Sequence, residues 1–455
     1  PSVAVYCDWN MDGDYADASE NITAYVSAVH GEHRLYDPLV GLPMLGGTKT
    51  STATVVCENS SDFFSPDNAA GLAGTYTAVA NGYYRVPIII DMGYLTSGGS
   101  PEVLRQFTGV IEGYNDSETA NARQITFECK GLDRMLSQYK LTTTAQAGKR
   151  IDEVISGHLT TAGVGSPSVD RSVSIIDWEW LDDANLLEHL RELAAADGGW
   201  FYYGKDGTAR YEHAPHWLEG ADHTTAVTTL DEAGTLRFDD TLRWANLYKS
   251  VVVEYSPVSG GPADVLYRAA KTLVVPPGSA ITEKCRFMRI AESASVPVAG
   301  TDYDACSAGG TDLSANLTVT MTAYAEQADV TLTNANATHA IHVYGLQVRG
   351  YPLVIDEAQE VRSTSALSVI DGEKEWALRG NRWIQTREQA ARLAGRLRDL
   401  LQYPRRLWVW RGPLCPYLEL GDRVTMDNTA KGIAADGYVV GFSFGYRVDD
   451  LLRMK

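Results

Sequence analysis

The first residues whose side chains could bind a metal ion lie at positions 8–14, with the sequence DWNMDGD. Oxygen-bearing side chains at alternate positions before a glycine turn are typical of the start of a calcium-binding loop. The twelfth position of such a loop supplies a carboxylate, but here it is Ser19, and Glu20 comes one residue late. The sequence therefore favours an acidic turn between strands and assigns no metal ligand.

Aromatic and carboxylate side chains occur together at Trp178-Glu179-Trp180, closely followed by Asp182 and Asp183. A sugar-cleaving site needs stacking surfaces with an acid and a base. Neighbouring positions on the chain do not, however, set the separation of two carboxyl groups across a substrate. Capping of the next helix accounts for the two aspartates, and the aromatic side chains are expected in the core.

The histidines give no catalytic or metal-binding pattern. His189 falls near a leucine stripe, His213 and His216 flank a proline, and no H-E-x-x-H arrangement is present. A G-x-S-x-G elbow, a G-x-x-x-x-G-K-[ST] phosphate loop and a G-x-G-x-x-G turn are also missing from the sequence. The sequence therefore predicts no catalytic residue, no cofactor and no bound metal.

Length and charge limit the classes of function. At about 150 residues per domain, 455 residues predict roughly three domains. The formal charge of -19 disfavours sequence-independent binding to nucleic acid, although residues 371–455 carry a net +4. No apolar run approaches the roughly 18 residues of a membrane span, so no stable membrane insertion is expected.

Cysteine usage and the N-terminus indicate synthesis in a reducing compartment. The six cysteines form no C-x-x-C pair and are expected to be reduced core residues. No charged segment followed by a hydrophobic run opens the chain, so no secretory signal is predicted. The cysteines are Cys7, Cys57, Cys129, Cys285, Cys306 and Cys415.

The elements that position these residues begin with strands. Residues 85–90, 107–113 and 124–130 are short β-like runs, and apolar residues alternate with polar ones in the third. A helix is predicted from Ile151 to Ala162, and another from a cap at Asp182 or Asp183 to a stop at Gly198. Residues 200–203 and 208–211 should then form a hairpin around Asp206-Gly207.

The second half of the chain is also rich in strand patterns. Apolar and threonine residues alternate at 317–323 and 330–333, which predicts a β-sandwich. Thr386 and Gln389 form a capping box before a helix with one apolar stripe, which Pro404 ends. The stripe comprises Ala390, Leu393, Ala394, Leu397, Leu400 and Leu401. Further β-like runs are 407–411, 423–426 and 438–444.

These patterns predict a mainly β fold with α+β parts. The expected domains are an N-terminal β-barrel at 1–147, a central α+β domain at 148–255, a β-sandwich insertion at 256–350 and a second β-barrel with one long helix at 351–455.

The order of these units resembles the tail hub proteins of long-tailed phages, a family related to the late-control proteins of contractile tails. The similarity extends over most of the chain, and its motifs are packing and turn patterns. The opening DWN with Asp12-Gly13 and Ile22-Thr23 also resembles the start of many minor tail proteins. The segments that carry the resemblance to the hub family are FTGVI at 107–111, the helix at 150–162, WLDDANLLEHL at 180–190, GGWFYY at 198–203 and LGDRV at 420–424.

The resemblance implies two hub-type barrels per chain and three chains in a pseudo-sixfold ring. Such a homotrimer joins the tail tube to the tip of a siphovirus-like virion and surrounds the channel for DNA ejection. The implied partners are sister copies, the distal tail protein, the tape-measure protein and tail fibre or spike proteins, with DNA only in transit. The implied location is the tail tip, after synthesis in the bacterial host cytoplasm.

Two other functions stay open from the sequence. One is a hydrolase of cell-envelope polysaccharide that uses Glu179, Asp182 or Asp183 as acid or base. The other is a receptor- or glycan-binding tail module, suggested by the threonine-rich sandwich and by three tyrosines expected to be exposed. These are Tyr303, Tyr324 and Tyr344.

Overall fold

The computed structural model shows a mainly β protein, as the sequence predicts, with 47% of residues in strands and 15% in helices. It describes residues 2–17, 19–35, 45–47, 50–95, 98–119, 122–213, 215–216, 221–242, 247–367, 374–404, 406–448 and 453–454.

The strands up to residue 242 are β1 (Ser2–Cys7), β2 (Val26–Arg34), β3 (Gly46–Gly47), β4 (Thr52–Glu58), β5 (Pro87–Leu95), β6 (Pro101–Thr119), β7 (Ala122–Gly131), β8 (Lys140–Leu141), β9 (Gln146–Arg150), β10 (Ser168–Val169), β11 (Ile175–Glu179), β12 (Ala184–Asn185), β13 (Trp200–Tyr203), β14 (Ala209–Glu212), β15 (Thr228–Leu230) and β16 (Arg237–Leu242).

The later strands are β17 (Ser250–Tyr255), β18 (Val258–Gly260), β19 (Asp264–Arg268), β20 (Leu273–Val275), β21 (Ala280–Arg286), β22 (Ala291–Ser295), β23 (Asp304–Cys306), β24 (Leu317–Ala323), β25 (Gln327–Asn334), β26 (Ile341–Tyr344), β27 (Gln347–Ile355), β28 (Gln359–Thr364), β29 (Glu375–Leu378), β30 (Arg406–Pro413), β31 (Arg423–Asn428), β32 (Ile433–Tyr438), β33 (Gly441–Arg447) and β34 (Arg453–Met454).

The α-helices are α1 (Thr77–Ala80), α2 (Asp133–Leu136), α3 (Ile151–Thr161), α4 (Leu186–Asp197), α5 (Ala221–Thr224) and α6 (Arg387–Leu401). Short 3-10 turns occur at Thr23–Tyr25, Leu72–Gly74, Ser314–Asn316 and Thr429–Lys431.

Ten strands form one curled antiparallel sheet that combines the two ends of the chain. Its order is β1-β5-β6-β7-β4-β2-β33-β34-β30-β16. The early and late strands meet where β2 pairs with β33, with Gly31 opposite Phe444. A Cβ atom on Gly31 would lie 2.1 Å from the Phe444 ring, so any other residue would force this buried ring to move. The two regions predicted as separate barrels therefore share one sheet, and the domain boundaries remain a prediction.

The first core lies against this sheet and follows from the period-two pattern. In β7, Ile125, Phe127 and Cys129 are buried, as their alternation with polar residues predicts. The Trp9 ring is 1% exposed and packs 6.4 Å from the Phe127 ring, centroid to centroid. Trp9 thereby anchors the start of the acidic segment in the core.

A second core surrounds the central helices. Helix α3 ends before Gly163 and α4 before Gly198, whose φ angles of +75° and +76° match the predicted stops. The predicted cap of α4 is wrong, because Asn185 is the N-cap and its side chain accepts from the Glu188 amide. Asp183 has a φ of +47°, so the chain turns there before the helix begins.

The predicted hairpin is confirmed, and it extends the central part. Strand β13 pairs antiparallel with β14, and the connection passes through Gly207 at a φ of +83°. Positive φ is the conformation that favours glycine in tight hairpins. The hairpin also pairs with the short β3, which ties it to the N-terminal region.

Strands β18 to β27 form three small sheets around a third core. The alternating runs at 317–323 and 330–333 lie in strands, as their pattern predicts, and these strands, β24 and β25, pair antiparallel with each other. Strand β27 runs across position 350, which is the predicted end of the insertion. That boundary remains a prediction.

The long C-terminal helix has the predicted cap and almost all of the predicted stripe. The Thr386 hydroxyl accepts from the Gln389 amide at 3.2 Å, while the Gln389 side chain returns to the amide of Gln385. Leu400 is predicted in the stripe, but its side chain is 37% exposed, because Leu401 forms the buried face at this turn of the helix. The predicted run at 438–444 is also not one strand, since β32 ends at Tyr438 and β33 begins at Gly441.

All six cysteines are free, as predicted, and Cys306 and Cys415 are only partly buried. Within the described ranges, no helix is long and apolar enough to cross a membrane.

Candidate functional site

The acidic segment after β1 forms a closed loop over residues 8–20. The Cys7 amide donates to the Glu20 carbonyl at 2.9 Å, which brings the two ends of the loop together. The Trp9 indole donates to the Ser19 carbonyl at 2.8 Å. Both carboxylate oxygens of Asp8 accept backbone amides, from Asp12 at 3.2 Å and from Gly13 at 3.0 Å.

Closure of the loop brings together carboxylates that are separated along the sequence. One oxygen each from Asp8, Asp12 and Glu20 lies within 4.8 Å of the others. Asp8 is 1% exposed and Glu20 is 0% exposed, whereas Asp12 lies at the surface. Burial raises the pKa of Glu20, and the nearby carboxylates of Asp17, Asp8 and Asp12 add to the rise. These three residues could hold a cation with oxygen ligands.

A second group of side chains that could bind a metal ion lies in the central core. The Nε2 atoms of His158 and His189 lie 3.0 Å and 3.2 Å from Oε1 of Glu179. His158 lies in α3, Glu179 in β11 and His189 in α4, and all three are buried. The sequence gives no pattern that connects Glu179 and His189 with each other or with His158.

Proton binding in this cluster is shifted by burial and by the partners. Burial raises the pKa of Glu179, but its interactions with His158 and His189 outweigh burial and lower the pKa to about 2. Burial lowers the pKa of His189 to about 4, although the interaction with Glu179 raises it. The cluster therefore favours an ionised carboxylate beside a neutral His189.

The carboxylates considered for sugar cleavage do not share a site with Glu179. Asp182 contacts Arg286 at 3.5 Å and Gln327 at 3.3 Å, both in the region of the third core. Asp183 is exposed and pairs with Lys140 at 2.5 Å. Because Glu179 is 0% exposed, it has no direct access to a dissolved polysaccharide.

The other residues singled out from the sequence have structural surroundings. Nδ1 of His216 lies 2.8 Å from Asp170, and the His213 amide donates to the same carboxylate at 3.2 Å. Tyr303 was expected to be exposed but is only 7% exposed, because it packs into the third core. Tyr324 is half-buried, and Tyr344 is 45% exposed as expected.

A buried network that the sequence patterns do not predict surrounds Asp197, the last residue of α4. Its carboxylate accepts hydrogen bonds from Ser172 at 2.9 Å, from Tyr211 at 2.6 Å and from Ser174. The Arg392 guanidinium on α6 donates to the Ser174 hydroxyl at 2.5 Å. A buried aspartate at the end of an apolar helix was the only sequence signal. The network connects α4 to β14 and α6.

A further missed contact connects the central hairpin to the C-terminal region. The Lys205 ammonium donates to the carbonyls of Pro416 at 2.6 Å and Leu418 at 3.1 Å. Lys205 is 7% exposed, and burial lowers its pKa. Together with the shared sheet, this contact holds the early, central and late parts of the chain against one another.

A groove of about 490 Å³ lies where the first and central parts meet. Its lining includes Arg85, Tyr139 and Tyr203, but none of the described residues around it is a carboxylate, histidine or cysteine. Among the described lining residues, tyrosine hydroxyls are thus the only groups of the types used in general acid–base or nucleophilic catalysis.

Comparison with known proteins gives a fold and no sequence family. No family model matches the chain, and no curated protein matches it. The fold is similar to that of the tail protein from Neisseria meningitidis MC58, with a TM-score of 0.53 and 9% identity over 100% of this chain and 95% of that one.

A second solved structure gives the same result. The 43 kDa tail protein of prophage MuSo2 from Shewanella oneidensis has a TM-score of 0.52 and 8% identity, over 99% of this chain and 96% of that one. The resemblance expected from the sequence is thus confirmed at the level of fold. The chain has the fold of phage tail proteins over its full length.

Proposed function

We propose that this chain is a structural protein of a phage tail. The observation that carries the proposal is the end-to-end similarity of its fold to two tail proteins. Fold similarity alone leaves function open, since one fold hosts many functions. The full burial of Glu179, one of the three candidate acid or base residues, supports a structural role over an enzymatic one.

We infer further that three copies form the pseudo-sixfold hub ring at the tail tip. The ring would join the tail tube to the tip and surround the DNA channel. Strand β16 supports this arrangement, because it ends the ten-stranded sheet and no described strand covers its outer edge. Leu236, just before β16, and Leu242, its last residue, are 67% and 43% exposed. A sister copy would cover this edge and both leucines.

The partners follow from this position. The ring would contact the distal tail protein, the tape-measure protein and a fibre or spike, and DNA would pass only in transit. The charge of -19 supports the last point, because an acidic surface repels the phosphate backbone. The proposed location is the tail tip of the virion, after synthesis in the cytoplasm of the bacterial host.

Neither alternative has comparable support. Hydrolysis of a polysaccharide would use Glu179, Asp182 or Asp183 as acid or base. Glu179 is 0% exposed, and the exposed Asp183 forms an ion pair with Lys140. Receptor binding through exposed tyrosines has less support, because one of the three tyrosines, Tyr303, is buried in the third core.

Antibody labelling of virus particles tests the proposal. Antibodies against this chain should label the tail tip of particles that contain it, and particles assembled without it should lack a finished tail. Labelling of the capsid, or normal tails without the chain, would reject the proposal.

A further inference from the structure

The acidic loop at residues 8–20 contains an uncompensated concentration of negative charge. Its acidic residues are Asp8, Asp12, Asp14, Asp17 and Glu20, and the first lysine or arginine of the chain is Arg34. Among the residues that the structure describes, no lysine, arginine or histidine forms an ion pair with any of them. The nearby Arg105 pairs with Asp91 instead, at 2.5 Å.

Two of these carboxylates are buried, which makes the missing counter-charge costly. Asp8 is 1% exposed and Glu20 is 0% exposed. Asp8 is satisfied by two backbone amides, but Oε1 of Glu20 is buried without a hydrogen-bond partner among the described residues. Buried charges in proteins are paired or coordinate a metal ion. The unpartnered Glu20 oxygen therefore points to a ligand that carries positive charge.

We propose that Asp8, Asp12 and Glu20 bind a calcium ion. Oxygens bound to one calcium ion at 2.3–2.6 Å lie at most about 5 Å apart. The ligand oxygens of the three residues lie within 4.8 Å of one another, which meets this condition without rearrangement of the loop. The inference concerns the loop itself and does not rest on the proposed tail function.

The donor set favours calcium over other ions. All three side chains offer hard carboxylate oxygens, with no nitrogen or sulfur ligand that would favour zinc. The spacing of Asp8, Asn10 and Asp12 before Gly13 is that of a calcium loop, and Glu20 takes the place of the carboxylate expected one residue earlier. Backbone carbonyls and water would complete the six to eight ligands.

The ion would fasten the loop to the first strand of the large sheet. Asp8 directly follows β1, and the Glu20 carbonyl accepts the amide of Cys7 within β1. A cation shared by Asp8 and Glu20 would therefore hold both ends of the loop at the edge of the sheet.

Calorimetric titration of the chelator-treated full-length protein with CaCl₂ tests the proposal. We expect one calcium ion per chain, with a dissociation constant in the range of about 10⁻⁶–10⁻³ M. Asp12→Asn should weaken binding at least about tenfold, because it removes a charged ligand at an exposed position. Glu20→Gln is a second ligand variant with the same expected direction.

Asp14→Asn is the matched control, since Asp14 is exposed in the same loop but is not one of the three ligands. It removes the same charge and should change the affinity less than about threefold. Absence of saturable calcium binding by the wild-type protein would overturn the proposal even if the variants misfold. Equal weakening by Asp14→Asn, or tighter binding of MgCl₂ than of CaCl₂, would also overturn it.

Discussion

At the scale of single residues, the buried cluster of His158, Glu179 and His189 makes folding stability depend on pH. The pKa of His189 is lowered to about 4, mainly by burial, whereas it is near 6.5 in an unfolded chain. As the pH falls from 6.5 towards 4, the unfolded state binds a proton before the folded state does, so stability should fall by on the order of 3 kcal/mol. Urea unfolding between pH 7.5 and pH 4 measures this loss.

The variant His189→Gln separates this contribution from those of other groups. It should lower stability at pH 7.5 and reduce the pH dependence between about pH 6.5 and pH 4. His30→Gln is the control, because His30 is exposed on β2. Identical pH profiles for the wild type and His189→Gln would contradict this assignment.

A second residue-scale prediction concerns Lys205. Lys205→Met keeps an apolar stem but removes the donor to the carbonyls of Pro416 and Leu418. We expect a loss of about 1–3 kcal/mol in the free energy of unfolding, because buried carbonyls lose a partner. Lys140→Met is the control at an exposed ion pair and should have little effect. Equal effects of the two variants in thermal unfolding would show that burial of Lys205 does not matter.

The sequence predicted these residue clusters poorly for a physical reason. His158, Glu179 and His189 come from three elements, so only the packing of α3, β11 and α4 brings them together. Glu20 comes one residue late for a calcium loop when positions are counted along the chain, because such counting ignores the backbone hydrogen bond that closes the loop at Cys7.

At the scale of elements, the apolar stripe of α6 should decide whether the second core forms. Leu393 and Leu397 are 4% and 0% exposed, and replacing either by arginine would bury an unpaired charge. We expect a loss of more than about 4 kcal/mol and failure of assembly. Leu400→Arg is the matched control on the same helix, at 37% exposure. Folded, assembled Leu397→Arg protein would contradict the role of this stripe.

Local elements could be predicted from the sequence, whereas their long-range pairing could not. The three long helices α3, α4 and α6 are predictable because glycine stops, apolar spacing and, for α6, a cap act within a few residues. The joining of β2 to β33 places Gly31 opposite Phe444, more than four hundred positions away. No local pattern specifies that register, so the sequence predicts two separate barrels where the structure has one shared sheet.

The edge strand β16 provides a test of the proposed contact between copies. Replacing Leu236 and Leu242 together by aspartate should prevent a sister copy from covering this edge while leaving the fold intact, because both side chains are exposed. Light scattering should then report single chains. An unchanged assembly with both substitutions would exclude β16 from the interface.

At the scale of the whole molecule, a fold that extends over the full chain suits a mechanical role. The shared sheet, the Lys205 contact and the Asp197 network tie the early, central and late parts of the chain to one another. Such a chain would suit the proposed ring, in which force would pass between copies through folded elements.

The mass of the purified chain in solution tests the central claim most directly. One chain has a mass of 49.6 kDa, and native mass spectrometry should find a species of three times that mass. Averaged electron micrographs of the same sample should show a ring with a central opening. A single-chain mass at every concentration, with no ring in the images, would contradict the account.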